Sequence, residues 1–280
     1  MKNILLPTDF SRNSLNAMKY AVSLFKDIPC NFYLLNVFKI HYVTNEEFRV
    51  SNNGGLTPSE KELYDNSQTK LKDVIEKIKT DTNHKFKAIS DFNFFIDSVK
   101  NYIENKKIDL IIMGTKGASG VKEIFMGSNT GDVIMKTNCS VLAIPENTIF
   151  TEPKEITFPT DFKISYKEED LDLLIQLAKI NNSNLRILHL KNEKKLGEDQ
   201  VFNRKNLKKL FKSLNISLHT LTNNDFDTAV NCFTQSRGNI NMIAILAKHY
   251  NFFQRLFFNP KVEELSFHTN IPLLVLHKTK

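Results

Sequence analysis

The feature that most constrains the fold is an internal repeat. Residues 3–10 read Asn-Ile-Leu-Leu-Pro-Thr-Asp-Phe, and 152 positions later residues 155–162 read Glu-Ile-Thr-Phe-Pro-Thr-Asp-Phe. A second match, residues 108–113 with 240–245, recurs at a spacing of 132, and the same spacing carries residues 137–144 onto 269–276 without a gap. Self-similarity on this scale means two copies of one supersecondary unit. The second copy is therefore 20 residues shorter in its middle, and the polar, glycine-containing stretch from His41 to Pro58 is the obvious surplus. A boundary falls near residues 150–154, where Pro153 punctuates the linker. The expected domains are 1–150 and 151–280.

Within the first copy, apolar runs and amphipathic stretches alternate. Ile4–Leu6 has the length of a short strand. From Ser11 to Lys26, Leu15, Met18, Ala21, Val22 and Phe25 fall on one helical face behind Ser11 as a plausible N-cap. Residues 32–37 form the next strand. Ser59 and Glu62 have capping-box spacing ahead of a helix through Leu63, Leu71, Val74, Ile75 and Ile78. Strand 85–89, helix 95–105, strand 110–113, helix 129–136 and strand 141–144 complete the unit. Strict βα alternation predicts α/β architecture: two doubly wound domains, each with a five-stranded, mainly parallel sheet flanked by helices. Such sheets receive ligands beyond the carboxyl ends of their strands, where strand order reverses. The last strands, 141–144 and 273–276, are both apolar edges, a liability that mutual pairing removes.

Composition excludes several classes. No apolar run approaches the roughly 20 residues of a membrane span, and the amino terminus lacks a signal-peptide core. Three scattered cysteines, Cys30, Cys139 and Cys232, form neither a disulfide framework nor a zinc motif, and the histidines show no metal-ligand spacing. A reducing cytoplasm is the expected location, and no metal is expected. The net charge of +7 is uneven. Residues 1–150 hold 19 Lys+Arg against 17 Asp+Glu, and the remainder 19 against 14. The densest basic segment, 204–212, reads as the wet face of a helix whose apolar side is Leu207, Leu210 and Phe211. Neither a nucleic-acid nor a membrane partner is expected.

The chemistry sits after the strand ending at Met113. Gly114-x2-Gly117-x9-Gly127-Ser128 follows, with Asn129 and Thr130. Glycines let backbone approach a ligand. Gly127-Ser128 opens a helix whose free N–H groups and positive end suit a phosphate. Ser128 and Thr130 add hydroxyls, and Lys116 and Lys122 lie in the loop. The glycine spacing is not that of a Walker A loop.

This motif, together with Pro7-Thr8-Asp9 at the end of the first strand of a doubled α/β chain, resembles the universal stress protein family over essentially the whole length. The resemblance implies a Rossmann-like fold of the adenine nucleotide α-hydrolase type. It also implies ATP or a related adenine nucleotide (AMP or ADP) as ligand, with Mg2+ as a candidate companion. By that resemblance Asp9 would accept hydrogen bonds from the ribose hydroxyls, and Pro7 and Thr8 would shape the pocket floor. Val37 would meet the adenine, and Gly114, Gly117, Gly127, Ser128 and Thr130 would hold the phosphates, with Met113 and Asn129 beside them. It implies pairing of the two copies as a pseudo-dimer within the chain, with a homodimer of chains as the favoured further step.

The second copy keeps Pro159-Thr160-Asp161 but not the cradle. Leu246, His249, Asn259, Pro260 and Val262 stand where Gly114, Gly117, Gly127, Ser128 and Thr130 stand in the first. Asp161 is then a cap or turn residue, and the aromatic stretch 250–258 is either packing or a docking patch. No Ser-His-Asp set, Walker-B-like acid or CxxC is evident. The expected function is stress response or signalling through nucleotide-dependent conformation or partner binding. The alternatives are a scaffold that binds no nucleotide, or a slow ATP-hydrolysing, autophosphorylating or adenylyl-transferring enzyme.

Overall fold

The computed structural model describes residues 1–38, 57–79, 84–115, 128–191, 195–222, 226–247 and 271–277. In chain order the elements of the first half are β1 (Lys2–Pro7), α1 (Arg12–Leu24), β2 (Cys30–Phe38), α2 (Pro58–Ile78), β3 (Lys85–Phe92), α3 (Phe95–Lys106), β4 (Leu110–Gly114), α4 (Ser128–Lys136) and β5 (Val141–Ile144). The second half follows with β6 (Glu155–Thr160), α5 (Glu168–Ile180), β7 (Asn184–Lys191), α6 (Glu198–Leu210), β8 (Asn215–Thr222), α7 (Phe226–Arg237), β9 (Met242–Leu246) and β10 (Leu273–Leu276).

All ten strands join one sheet in the order β3-β2-β1-β4-β5-β10-β9-β6-β7-β8. Each half is parallel within itself. The seam is antiparallel: Leu273, Leu274 and Val275 of β10 lie opposite Ala143, Leu142 and Val141 of β5. The two apolar last strands are thus paired with each other, as the sequence leads one to expect, which buries their side chains and satisfies their backbone groups.

Side chains alternate across the pleat and build a core on each face. Ile4 and Leu6 point to one face, which α1, α2, α5 and α6 cover with Met18, Leu71, Leu174 and Leu207. Leu5 points to the other, which α3, α4 and α7 cover with Val99, Val133 and Val230. Ser11 caps α1 by accepting from the Ser14 N–H. The start of α2 differs from expectation. Its cap is Thr57, not Ser59, with Glu60 completing the capping box and Pro58 in the first turn. Proline is preorganised for that first position, so of two overlapping cap motifs it selects the earlier.

Candidate functional site

In the first half, strand order reverses between β1 and β4, each of which follows the other in the sheet although β2 and β3 separate them in the chain. The carboxyl ends of these two strands frame a crevice, and Pro7, Thr8 and Asp9 come to it from β1 and Met113 and Gly114 from β4. Thr130, in the first turn of α4, donates to the Gly114 carbonyl at 3.1 Å and so ties that helix start to the strand end. Asn129 beside it is exposed. Val37 stands half-buried near the end of β2. Ser128 opens α4, but its side chain, with all of Gly117, Gly127, Lys116 and Lys122, lies outside the described residues, as do His249, the 250–258 stretch, Asn259, Pro260 and Val262.

The turn after β1 is tightly specified. The Thr8 N–H donates to Leu35 O at 2.8 Å. Its hydroxyl accepts from the Phe10 N–H at 2.9 Å and meets the Ser14 hydroxyl at 2.9 Å. Phe10 has φ of 63°, in the left-handed region. The Asp9 carboxylate accepts from the Ser11 N–H at 3.0 Å. Burial alone would raise this carboxyl, but hydrogen bonds from the Ser11 side chain and backbone and from Ser14 outweigh it and lower the group below its ordinary value. Asp9 is therefore an ionised, acceptor-only group at the mouth of the crevice. Asn36 donates to the Thr8 carbonyl at 2.7 Å and accepts from Ser67 of α2 at 3.0 Å, which locks the end of β2 to that of β1.

Asn13 is a residue that the sequence motif did not flag. Its amide donates to the Thr115 carbonyl, immediately past β4, and its Oδ1 is buried without a partner among the described residues. A Cβ built on Gly114 would lie 2.5–2.8 Å from the Asn13 side chain. Any larger residue here would have to displace the Asn13 amide from its place.

The second half repeats the hydrogen bonds of the turn but packs larger side chains against it. Phe162 again has positive φ, 59°, and its N–H donates to the Thr160 hydroxyl at 2.9 Å, while the Lys163 N–H donates to Asp161 at 2.9 Å. Asp161 thus holds its turn as Asp9 holds the first. Tyr166, the counterpart of Ser14, keeps the hydroxyl contact to the threonine but brings a full ring into the core. Phe162 is fully buried and lies against His189, with ring centroids 4.8 Å apart. The first turn of α1 has no counterpart: α5 begins only at Glu168, and residues 161–166 are held by α6 instead. Gln200, Asn203 and Asn206 donate to the carbonyls of Asp161, Phe162 and Tyr166 at 2.7, 2.9 and 2.8 Å. Leu246, at the Gly114 position, is buried core.

The fold defines a class: a doubly wound, mainly parallel α/β protein, with Thr8, Asp9, Gly114 and Thr130 at the strand ends where its first half reverses order. The sequence model of the universal stress protein family matches residues 1–145, and the chain belongs to that family. It is 31% identical over 157 residues to universal stress protein MJ0577 of Methanocaldococcus jannaschii, a match covering 51% of this chain and 94% of the relative. A universal stress protein from Archaeoglobus fulgidus has the same fold over both halves, with a TM-score of 0.70 at 15% identity, covering 99% of this chain and 98% of the other. A protein from Pseudomonas aeruginosa matches with a TM-score of 0.59 at 12% identity over 99% of this chain and 93% of the other.

Proposed function

We propose that the chain binds one adenine nucleotide, in the unit formed by residues 1–150, and acts in stress response through the conformation or partner affinity that the nucleotide sets. Residues 151–280 form a degenerate copy whose crevice is filled by its own side chains. The observation that carries this reading is the contrast at one equivalent turn. At the Asp9 turn Phe10 is only half-buried, Ser14 meets the threonine hydroxyl and the strand end opposite is Gly114. At the Asp161 turn the matching Phe162 is fully buried, Tyr166 stands in place of Ser14 and the strand end is Leu246. An ionised Asp9 accepts from vicinal hydroxyls of a ribose, and the start of α4, with Thr130, offers N–H groups and a positive helix end to phosphates. Val37 supplies an apolar wall for the base. Mg2+ would enter with the triphosphate.

On this reading the output is a bound state and not a product. A thermal-shift series with ATP, AMP and cyclic AMP tests binding. Ligand at 100 times its Kd should raise stability by about 2.7 kcal/mol, a shift of roughly 5–10 °C for a domain of this size. Asp9→Ala should remove the shift. Chromatography of the incubated nucleotide separates a binder from a slow hydrolase.

A further inference from the structure

Helix α6 presents an exposed apolar pair within a field of lysines. Its inward face is ordinary: Leu207 and Phe211 are fully buried, and Asn203 is hydrogen-bonded to Phe162 O. On the outward face Val201 is 46% and Phe202 69% exposed. At 3.6 residues per turn, Lys205, Lys208, Lys209 and Lys212 follow on that same side, and all four are exposed. No described carboxylate pairs with any of them. The only acids on the helix, Glu198 and Asp199, occupy its first turn, where the helix dipole favours them. Beyond that turn the face is uniformly cationic.

The repeat supplies a control. Helix α2 is the matching element of the first half, and its exposed charges are mixed in sign: Lys61, Glu62, Asp65, Lys70, Lys72, Asp73, Glu76 and Lys77. A surface kept soluble needs nothing more than that mixture. The single-sign face of α6, with a phenylalanine left in water at its edge, is a departure from it. The composition is that of a helix resting in a bilayer interface, where apolar side chains enter the headgroup boundary and lysines meet anionic lipid. The face stands outward on the sheet's outer layer, a shape that suits a flat surface better than it suits a peptide, which needs a groove.

We propose that α6 docks the protein reversibly on an anionic bilayer surface, with Phe202 and Val201 entering the headgroup region and Lys205, Lys208, Lys209 and Lys212 contacting lipid phosphates. The test is co-sedimentation of the full chain with vesicles of phosphatidylcholine, with and without one third phosphatidylglycerol. Binding is expected only to the anionic vesicles and should disappear at high salt. Phe202→Ser should weaken it by about tenfold, the loss of one buried aromatic side chain. Lys205→Gln/Lys209→Gln should weaken it by at least about tenfold. Lys61→Gln/Lys72→Gln removes the same net charge from α2 and should change nothing. Each position is exposed, so unchanged melting temperatures will confirm folding. Absence of sedimentation would overturn the proposal, as would an α2 variant as weak as the α6 variant. So would binding to a single-stranded oligonucleotide with none to vesicles.

Discussion

Replacing Gly114 with alanine isolates a single steric contact. The new Cβ would lie 2.5, 2.6 and 2.8 Å from three atoms of the Asn13 amide, too close for any relaxed pair. Gly114 does not have a positive φ, so alanine meets no backbone penalty, and its lower unfolded-state entropy favours folding by about 0.4–1 kcal/mol. Against this stands overpacking, about 1–3 kcal/mol. Displacing Asn13 from the Thr115 carbonyl costs about 1 kcal/mol more. The net expectation is a loss of about 2 kcal/mol. Asn13→Ala alone should cost about 1 kcal/mol, since only the hydrogen bond goes. In the Asn13→Ala background the collision is gone, so Gly114→Ala should then be neutral or slightly stabilising. Urea midpoints of the four proteins give the coupling directly, expected at about 2 kcal/mol. The second half already combines the two changes, with Leu246 at the glycine position and Ser165 at the asparagine position. Additive effects, or a Gly114→Ala protein as stable as the parent, would refute the reasoning.

Three further outcomes follow from burial. His277, directly after β10, donates its N–H to the Ser140 hydroxyl at 3.1 Å, and burial pushes its imidazole down to about 4. Above its ordinary 6.5 the ring is neutral folded or unfolded. As pH falls from there to about 4 only the unfolded chain takes up the proton, so stability should fall across that window by up to about 3 kcal/mol. His277→Gln should flatten that part of the pH profile, read by urea midpoints. Burial raises the thiols of Cys30 and Cys139 to about 11 and about 12, while Cys232 is exposed. A colourimetric thiol reagent should therefore titrate one cysteine quickly in the native protein and all three in denaturant. Leu274, fully buried at the seam opposite Leu142, should cost about 2–5 kcal/mol as alanine, and calorimetry should show both halves destabilised together.

Much of the fold was legible because one turn is written twice. The Pro-Thr-Asp-Phe repeat located β1 and β6, the two offsets located the strands between, and the apolar alternation placed Val141–Ile144 to the residue. Helix ends were less legible. Ser59 and Thr57 both head a capping box, and only Pro58 separates them. The site was legible at its backbone-driven parts, Asp9 and Gly114, because strand ends and glycines leave local signals. Asn13 and Asn36 were not, because each acts across a long sequence distance: Asn13 reaches Thr115 and Asn36 reaches Thr8. The repeat held that information too. Ser14 becomes Tyr166 at the same offset, a change of volume that the buried core of the second half takes up. The missing first turn of α5 had no such sign, since its cause is the hold of Gln200, Asn203 and Asn206 on the loop.

The central claim is that one half binds nucleotide and the other is closed by its own side chains. Isothermal titration of the full chain with ATP, with Asp9→Ala and Asp161→Ala as companions, tests it most directly. One site per chain is expected, lost in Asp9→Ala and retained in Asp161→Ala. Two equivalent sites, or one site that Asp161→Ala removes and Asp9→Ala leaves intact, would contradict it.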